Sequence, residues 1–227
     1  GKNENNIDEN TLIIFASDNG PWLNFGKWGG SAGPLREGKG TMWEGGARVP
    51  CIVRWPKKIK PKQVLSNIAS TIDIFPTLAE IVGENKINKK IDGVSLLPLF
   101  EGEPNANPRN ELFYYYNEKL IAVRKDDWKL VFPHTYRSYE NVEPGKNLYP
   151  GPYGKGEAGL ELYNLESDIG ERNNFLYPTN FDEADEWLND FFKHRFILFG
   201  DYEDAISREN SFLWHSLLSP LLNSGLL

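Results

Sequence analysis

From Thr11 to Ala16 the chain reads Thr-Leu-Ile-Ile-Phe-Ala, then stops at Ser17-Asp18-Asn19-Gly20-Pro21. A short apolar, partly β-branched run closed by turn formers predicts a strand buried on both faces, as in the parallel sheets of α/β proteins. Beyond Pro21 neither the strand nor the helix period is visible as far as Gly46. Glycines recur there, and Trp22, Phe25, Trp28 and Trp43 punctuate the segment. A long irregular stretch carrying that many aromatics predicts an ordered, functional loop. Val49–Trp55 restores a strand pattern, in which Cys51 is expected to be buried, as free cysteines usually are; Pro56-Lys57-Lys58 turns the chain. Phe75, Leu78, Ala79 and Val82 fall at helical spacing and predict one apolar helix face. Asp73 is the expected N-cap, Pro76 sits in the first turn and Gly83 is a natural terminator. After a basic connector over 86–90, Ile91-Asp92-Gly93 turns into a short helical segment over 94–100.

The pattern changes again at Glu101–Asn110, where Asn, Pro and Gly mark a linker. Glu111–Tyr116, Lys119–Arg124 and Trp128–Phe132 are three strand-like runs separated by turns at Asn117-Glu118 and Lys125-Asp126-Asp127, which predicts an antiparallel meander. Glu161–Leu165 reads as a fourth strand and Asp182–Phe192 as an amphipathic helix. The expected division is a mixed α/β part over 1–105, a small antiparallel-sheet part over 106–190, and a tail over 191–227.

Charge and composition narrow the chemistry. The 227 residues hold 25 basic and 32 acidic side chains, a formal charge of −7, which argues against a general nucleic-acid binder. A single cysteine excludes an internal disulfide framework or a thiolate zinc cluster, and His134, His194 and His215 are too scattered for a histidine-rich metal site. Carboxylates, amides, lysine and arginine remain as working groups. The polar start Gly1-Lys2-Asn3-Glu4 shows no signal peptide, and no apolar run approaches the roughly 20 residues of a membrane span. Cysteine poverty fits a cytosolic or a periplasmic setting alike. The abrupt beginning leads us to expect further polypeptide ahead of Gly1.

Two stretches carry candidate chemistry. Asp18-Asn19 follows a strand directly, and ligands of open α/β sheets bind outside the carboxyl ends of strands. A carboxylate beside an amide carbonyl offers hard oxygen ligands suited to Ca²⁺ or Mg²⁺, although two oxygens do not fill a shell of six or more. The same dipeptide is also ordinary turn chemistry. In Arg36-Glu37-Gly38-Lys39-Gly40-Thr41, the glycines flanking Lys39 let the backbone approach a ligand and aim the ammonium into a cleft, where it can balance charge building on a sulfate or phosphate oxygen. The bland reading of Lys39 is a surface lysine on a loop. Gly45-Gly46 and Arg48 read as structural, supporting the turn and an internal ion pair.

Taken together, these stretches resemble the type I, formylglycine-dependent sulfatases, arylsulfatase-like members in particular. The resemblance rests on Ser17-Asp18-Asn19-Gly20-Pro21, on the Arg-x-Gly-Lys-Gly-Thr-x-x-Glu-Gly-Gly-x-Arg-x-Pro stretch from Arg36 to Pro50, and on the 21-residue spacing from Asp18 to Lys39. It continues through Thr71–Leu78, Ile91–Leu96, Val123–Val131 and Glu161–Asp168, six motifs in one order over about residues 5–175. It implies the C-terminal part of an alkaline-phosphatase-like α/β sandwich followed by a small antiparallel-sheet subdomain with a helix. By the same resemblance, Asp18 and Asn19 are two ligands of a Ca²⁺ (Mg²⁺ is the other candidate), and Lys39 is a catalytic residue that contacts the sulfate ester.

The substrate implied is a sulfated small molecule or glycan, and the location periplasmic or secreted. The family's nucleophile is a formylglycine made from Cys or Ser in a Cys/Ser-x-Pro-x-Arg motif, but Cys51-Ile52-Val53-Arg54 lacks the proline and no serine fits. The formylglycine, the paired aspartates and the acid histidine are therefore expected upstream, and this chain alone is expected to be inactive. His134 is at most a residue of the pocket edge. Two other readings stand beside this one: a phosphohydrolase of the alkaline phosphatase superfamily, and a non-catalytic glycan-binding module built on Trp22, Trp28 and Trp43.

Overall fold

The computed structural model describes residues 5, 7–84, 87–176, 180–182, 185 and 189. Three antiparallel sheets carry it. Strands β1 (Ile13–Ala16) and β2 (Cys51–Arg54) form a two-stranded ribbon with Ile13 opposite Arg54 and Ala16 opposite Cys51. Between them lie a 3-10 segment at Leu23–Trp28 and the short helix α1 (Glu44–Ala47). Helix α2 (Ile74–Ile81) and helix α3 (Leu97–Glu101) follow. Strands β3 (Glu111–Tyr116), β4 (Lys119–Lys125), β5 (Trp128–Val131) and β8 (Glu161–Asn164) make a four-stranded sheet in the order β3-β4-β5-β8. A separate hairpin pairs β6 (His134–Ser138) with β7 (Gly154–Ala158).

The expected meander is present, and its turns at Asn117, Glu118 and Asp126 take the positive φ that such connections require. The run at Thr11–Ala16 departs from expectation. It pairs antiparallel, and Phe15 and Ile52 stand 66% and 63% exposed, because no second layer among the described residues covers that face. Cys51, expected buried, is exposed at the start of β2. Helix α2 is also turned relative to its sequence pattern: Phe75 and Val82 are 61% and 77% exposed, while Pro76, Thr77 and Ala79 are buried.

Polar anchors explain the orientation of α2. Asp73 stands at the N-cap position, but its carboxylate accepts from Ser70 N at 2.8 Å and Val94 N at 2.9 Å and pairs with Arg109. Thr77 Oγ1 accepts from Leu96 N at 2.9 Å. These bonds satisfy a fully buried carboxylate and hold the Asp73/Thr77 face inward, which leaves the apolar stripe outward. Gly83, with φ +82°, closes the helix as expected. The helix expected over 182–192 falls almost wholly outside the described residues, as does the tail over 191–227.

The main core is shared by the long loop and the four-stranded sheet. Trp43, 1% exposed, packs with Tyr114, Ala122, Val131, Ala158, Tyr163 and Leu165. Its ring meets those of Tyr136 and Tyr163 edge-on at 5.5 and 5.9 Å, and the Arg36 guanidinium lies 3.6 Å from its centroid. A smaller cluster of Leu96, Leu99 and Phe100 packs under β2 through Val53.

Candidate active site

The site begins where β1 ends. Ser17 Oγ donates to Asn19 O at 2.8 Å and fixes the turn that presents Asp18 and Asn19. Gly20 N then donates to Gly46 O at 3.0 Å, and Lys39 N donates to Pro21 O at 2.9 Å. Both crossings need glycine. A Cβ on Gly20 would stand 1.8 Å from Gly45 O, and one on Gly38 2.6 Å from Pro21 O, far inside contact distance. Two backbone hydrogen bonds thus tie the strand end to the loop that carries Lys39.

Asp18 is exposed, and its carboxylate makes no ion pair among the described residues. Lys39 is half-buried, its Nζ 5.3 Å from the Trp22 ring centroid, a cation–π arrangement, and it too lacks a carboxylate partner among the described residues. Its backbone is held from the far side, where Tyr139 Oη donates to Lys39 O at 2.6 Å. The neighbouring Glu37 is buried and accepts from Ser138 Oγ at 2.5 Å and Tyr139 N at 2.7 Å. The loop is therefore clamped between the end of β1 and the end of β6.

Below this surface lies a buried ionic cluster. Lys129, wholly buried on β5, donates to Glu44 Oε1 at 3.0 Å and Met42 O at 2.7 Å, and lies 2.7 Å from Glu171 Oε1 outside hydrogen-bonding direction. Glu171 Oε2 accepts from Glu44 N at 2.7 Å, which caps the first turn of α1. Arg48 and Arg124 approach Glu44 Oε2 at 3.8 and 3.9 Å. Burial pushes the Glu44 carboxyl up, but Lys129 and Arg124 outweigh it and hold Glu44 below the usual carboxylate range. Burial raises Glu171 as well; Lys129 opposes that, Glu44 adds to it, and the net shift is upward. The expected structural roles of Gly45-Gly46 and Arg48 are seen in this packing.

His134 sits among the Trp43 and Tyr136 rings with Nδ1 2.7 Å from Phe132 O. The proposed aromatic trio does not form one surface: Trp43 is core, Trp28 is exposed beneath Lys27, and Trp22 bonds Tyr153 through Nε1. Sequence reasoning missed the β6–β7 hairpin with Arg137, Tyr139 and Tyr153. Its signal was faint, confined to the turn pairs Pro144-Gly145 and Pro150-Gly151 and the tyrosines around them. As to metal, Asp18 and Asn19 supply two hard oxygens of the right chemistry, and no group of three His, Cys, Asp or Glu among the described residues is placed to hold an ion. The donor set fits part of a Ca²⁺ shell.

Comparison with known proteins finds similarity to sulfatases. A family model for the C-terminal region of N-sulphoglucosamine sulphohydrolase matches residues 38–144. Steryl-sulfatase of Mus musculus is 38% identical over 177 residues, covering 71% of this chain and 28% of that protein. Arylsulfatase A of Homo sapiens is 36% identical over 173 residues, covering 74% of this chain and 34% of that protein. The crystal structure of PsFucS1 sulfatase from Pseudoalteromonas sp. superposes with a TM-score of 0.62 at 26% identity, over 90% of this chain and 40% of that one. The chain spans between 28% and 34% of the length of these two curated relatives.

Proposed function

We propose, for a chain that belongs to the sulfatase family and matches the C-terminal portion of its alkaline-phosphatase-like fold, that it contributes Asp18, Asn19 and Lys39 to a site hydrolysing sulfate monoesters. The observation that supports this most is the pair of backbone bonds, Gly20 N to Gly46 O and Lys39 N to Pro21 O, which join the backbone just after Asp18-Asn19 to the loop that carries Lys39. Asp18 and Asn19 would hold Ca²⁺ by oxygen, with further ligands from polypeptide beyond the described residues. A bound Ca²⁺ supplies electrostatic polarisation of a sulfate oxygen.

Lys39 does its part without the metal. Its ammonium has no carboxylate partner among the described residues and is steadied against Trp22, so it can offset negative charge on a sulfuryl oxygen. Cys51 takes no part: it is displaced to the start of β2 and lacks the family's flanking proline. The nucleophile, a formylglycine by family, comes from outside this chain, and the 227 residues alone are expected to release no sulfate. Among the described residues no helix is long and apolar enough to cross a membrane; a periplasmic or secreted location is the accompanying proposal. The test is turnover of an aryl sulfate by the whole polypeptide that carries this chain. Lys39→Ala lowers kcat about 10²–10³-fold, the usual cost of one charge-stabilising donor; an unchanged kcat removes Lys39 from the reaction.

A further inference from the structure

Seven arginines lie among the described residues, and six of them face a carboxylate: Arg36, Arg48, Arg54, Arg109, Arg124 and Arg172. Arg137, on β6, does not. It has no ion pair within the described residues; its guanidinium lies 4.8 Å from the Tyr153 ring centroid, and its Nη2 donates to Tyr116 Oη at 3.3 Å. Tyrosine hydroxyls, not carboxylates, are thus its neighbours among the described residues, and several of the five N–H donors of the fork remain to be offered to a ligand.

Its position matters as much as its charge. The guanidinium passes so close to Gly40 that a Cβ there would stand 3.0 Å from Arg137 Cζ, which sets it beside Lys39. A closed circuit results. Lys39 lies over Trp22, Trp22 Nε1 donates to Tyr153 Oη, Arg137 lies over Tyr153, and Tyr139 packs edge-on to Tyr153 at 5.6 Å while donating to Lys39 O. Two cations without carboxylate partners among the described residues therefore bracket two hydrogen-bonded aromatic rings, each about two-fifths exposed (Trp22 and Tyr153, both 39%). Neither cation meets a carboxylate among the described residues, so both keep donors to offer an anionic ligand.

We infer that Arg137 forms a second anion subsite, which recognises an acidic group carried on the same substrate as the sulfate that Lys39 contacts. The exposed faces of Trp22 and Tyr153 receive the sugar or other ring between the two anions. This deepens the reading of the Lys39 site and rests on it. A planar fork stacked on an aromatic ring favours bidentate contact with a sulfate or carboxylate, which share this geometry.

The test measures affinity in the whole polypeptide by titration calorimetry, with three monosaccharide probes: one sulfate, two sulfates, and one sulfate plus a carboxylate. The second and third arms distinguish the source of the acidic group. The doubly anionic probe recognised at Arg137 binds about 10–100-fold tighter than the singly sulfated one, the range of a charge-assisted hydrogen-bonded contact. Arg137→Met, which keeps a stem over Tyr153 but no charge, collapses that ratio towards one; Arg137→Lys restores part of it and less of its directional selectivity. A ratio unchanged in Arg137→Met, or absent in the unaltered protein for both doubly anionic probes, overturns the inference. Lys39→Ala weakens all three probes alike and leaves the ratio standing. If Lys39→Ala weakens none of them, the reading of Lys39 fails, while the ratio still decides the role of Arg137.

Discussion

A lysine with no exposed surface held between two glutamates is costly to build, and Lys129 shows how it is kept. Glu44 is drawn below the ordinary carboxylate range because Lys129 and Arg124 outweigh the cost of burying it, whereas Glu171 stays above because burial and Glu44 prevail over Lys129. The two acids therefore shift stability in opposite directions with pH. Glu44 stabilises the fold fully above the ordinary carboxylate value, and that contribution is lost as pH falls through its lowered folded value. Glu171 stabilises it below the ordinary value and loses that contribution as pH rises through its raised folded value. Glu171→Gln removes only the second effect. In urea melts between about pH 4 and about pH 8 the variant should gain on the unaltered protein as pH rises; a gap that stays constant or moves the other way contradicts this. Lys129→Ala leaves Glu171 without its cation and Glu44 with only the more distant Arg48 and Arg124, and should cost about 3–5 kcal/mol in the same melts.

At the scale of elements, the crossing of Gly20 over Gly45-Gly46 is what joins β1 to α1. Gly20→Ala places a methyl group 1.8 Å from a backbone oxygen that has no rotamer to yield, so the strand end and the loop must separate. The expected loss is about 1–3 kcal/mol or more, read as a lowered thermal midpoint. An unchanged midpoint would show that the two segments are not in contact in solution. The strands β3, β4, β5 and β8 were legible in the sequence because alternation and turn residues are local signals. The hairpin of β6 and β7 was not: its halves are far apart in sequence and Gly154 and Gly156 dilute the β signal. The face of α2 was misread for a different reason. Periodicity reports which side is apolar, while Asp73 and Thr77 decide which side is anchored. Asp18, Asn19 and Lys39 stood out by motif; Arg137 and Tyr153 did not, since only the folded hairpin brings them beside Gly40.

Over the whole molecule, apolar surface is unevenly covered. Phe15 and Ile52 on the β1–β2 ribbon stand outward, and Phe75, Leu78 and Val82 line an open apolar hollow with Ile87 and Ile91. Scattered exposed hydrophobes are normal, but contiguous ones are not, and they bind hydrophobic dyes. The 227-residue chain should enhance the fluorescence of anilinonaphthalene sulfonate while retaining its near-ultraviolet aromatic dichroism. Replacing Phe75 and Val82 together by Glu should lower the dye signal without loss of the dichroism. A signal unaffected by the replacement would place the dye elsewhere.

The pin that holds the Lys39 loop also has a bearing on when the site comes into being. Glu44 finds Lys129 across 85 positions of chain and Glu171 across 127. Contacts that distant close last, after local hairpins such as β3–β4 are complete, because the entropy of the intervening chain must be given up first. The loop that carries Lys39 thus takes its final shape only when residues well over a hundred positions downstream have been synthesised and packed. A nascent chain stalled before Glu171 would carry the whole family motif of the loop and still lack the shape that motif specifies.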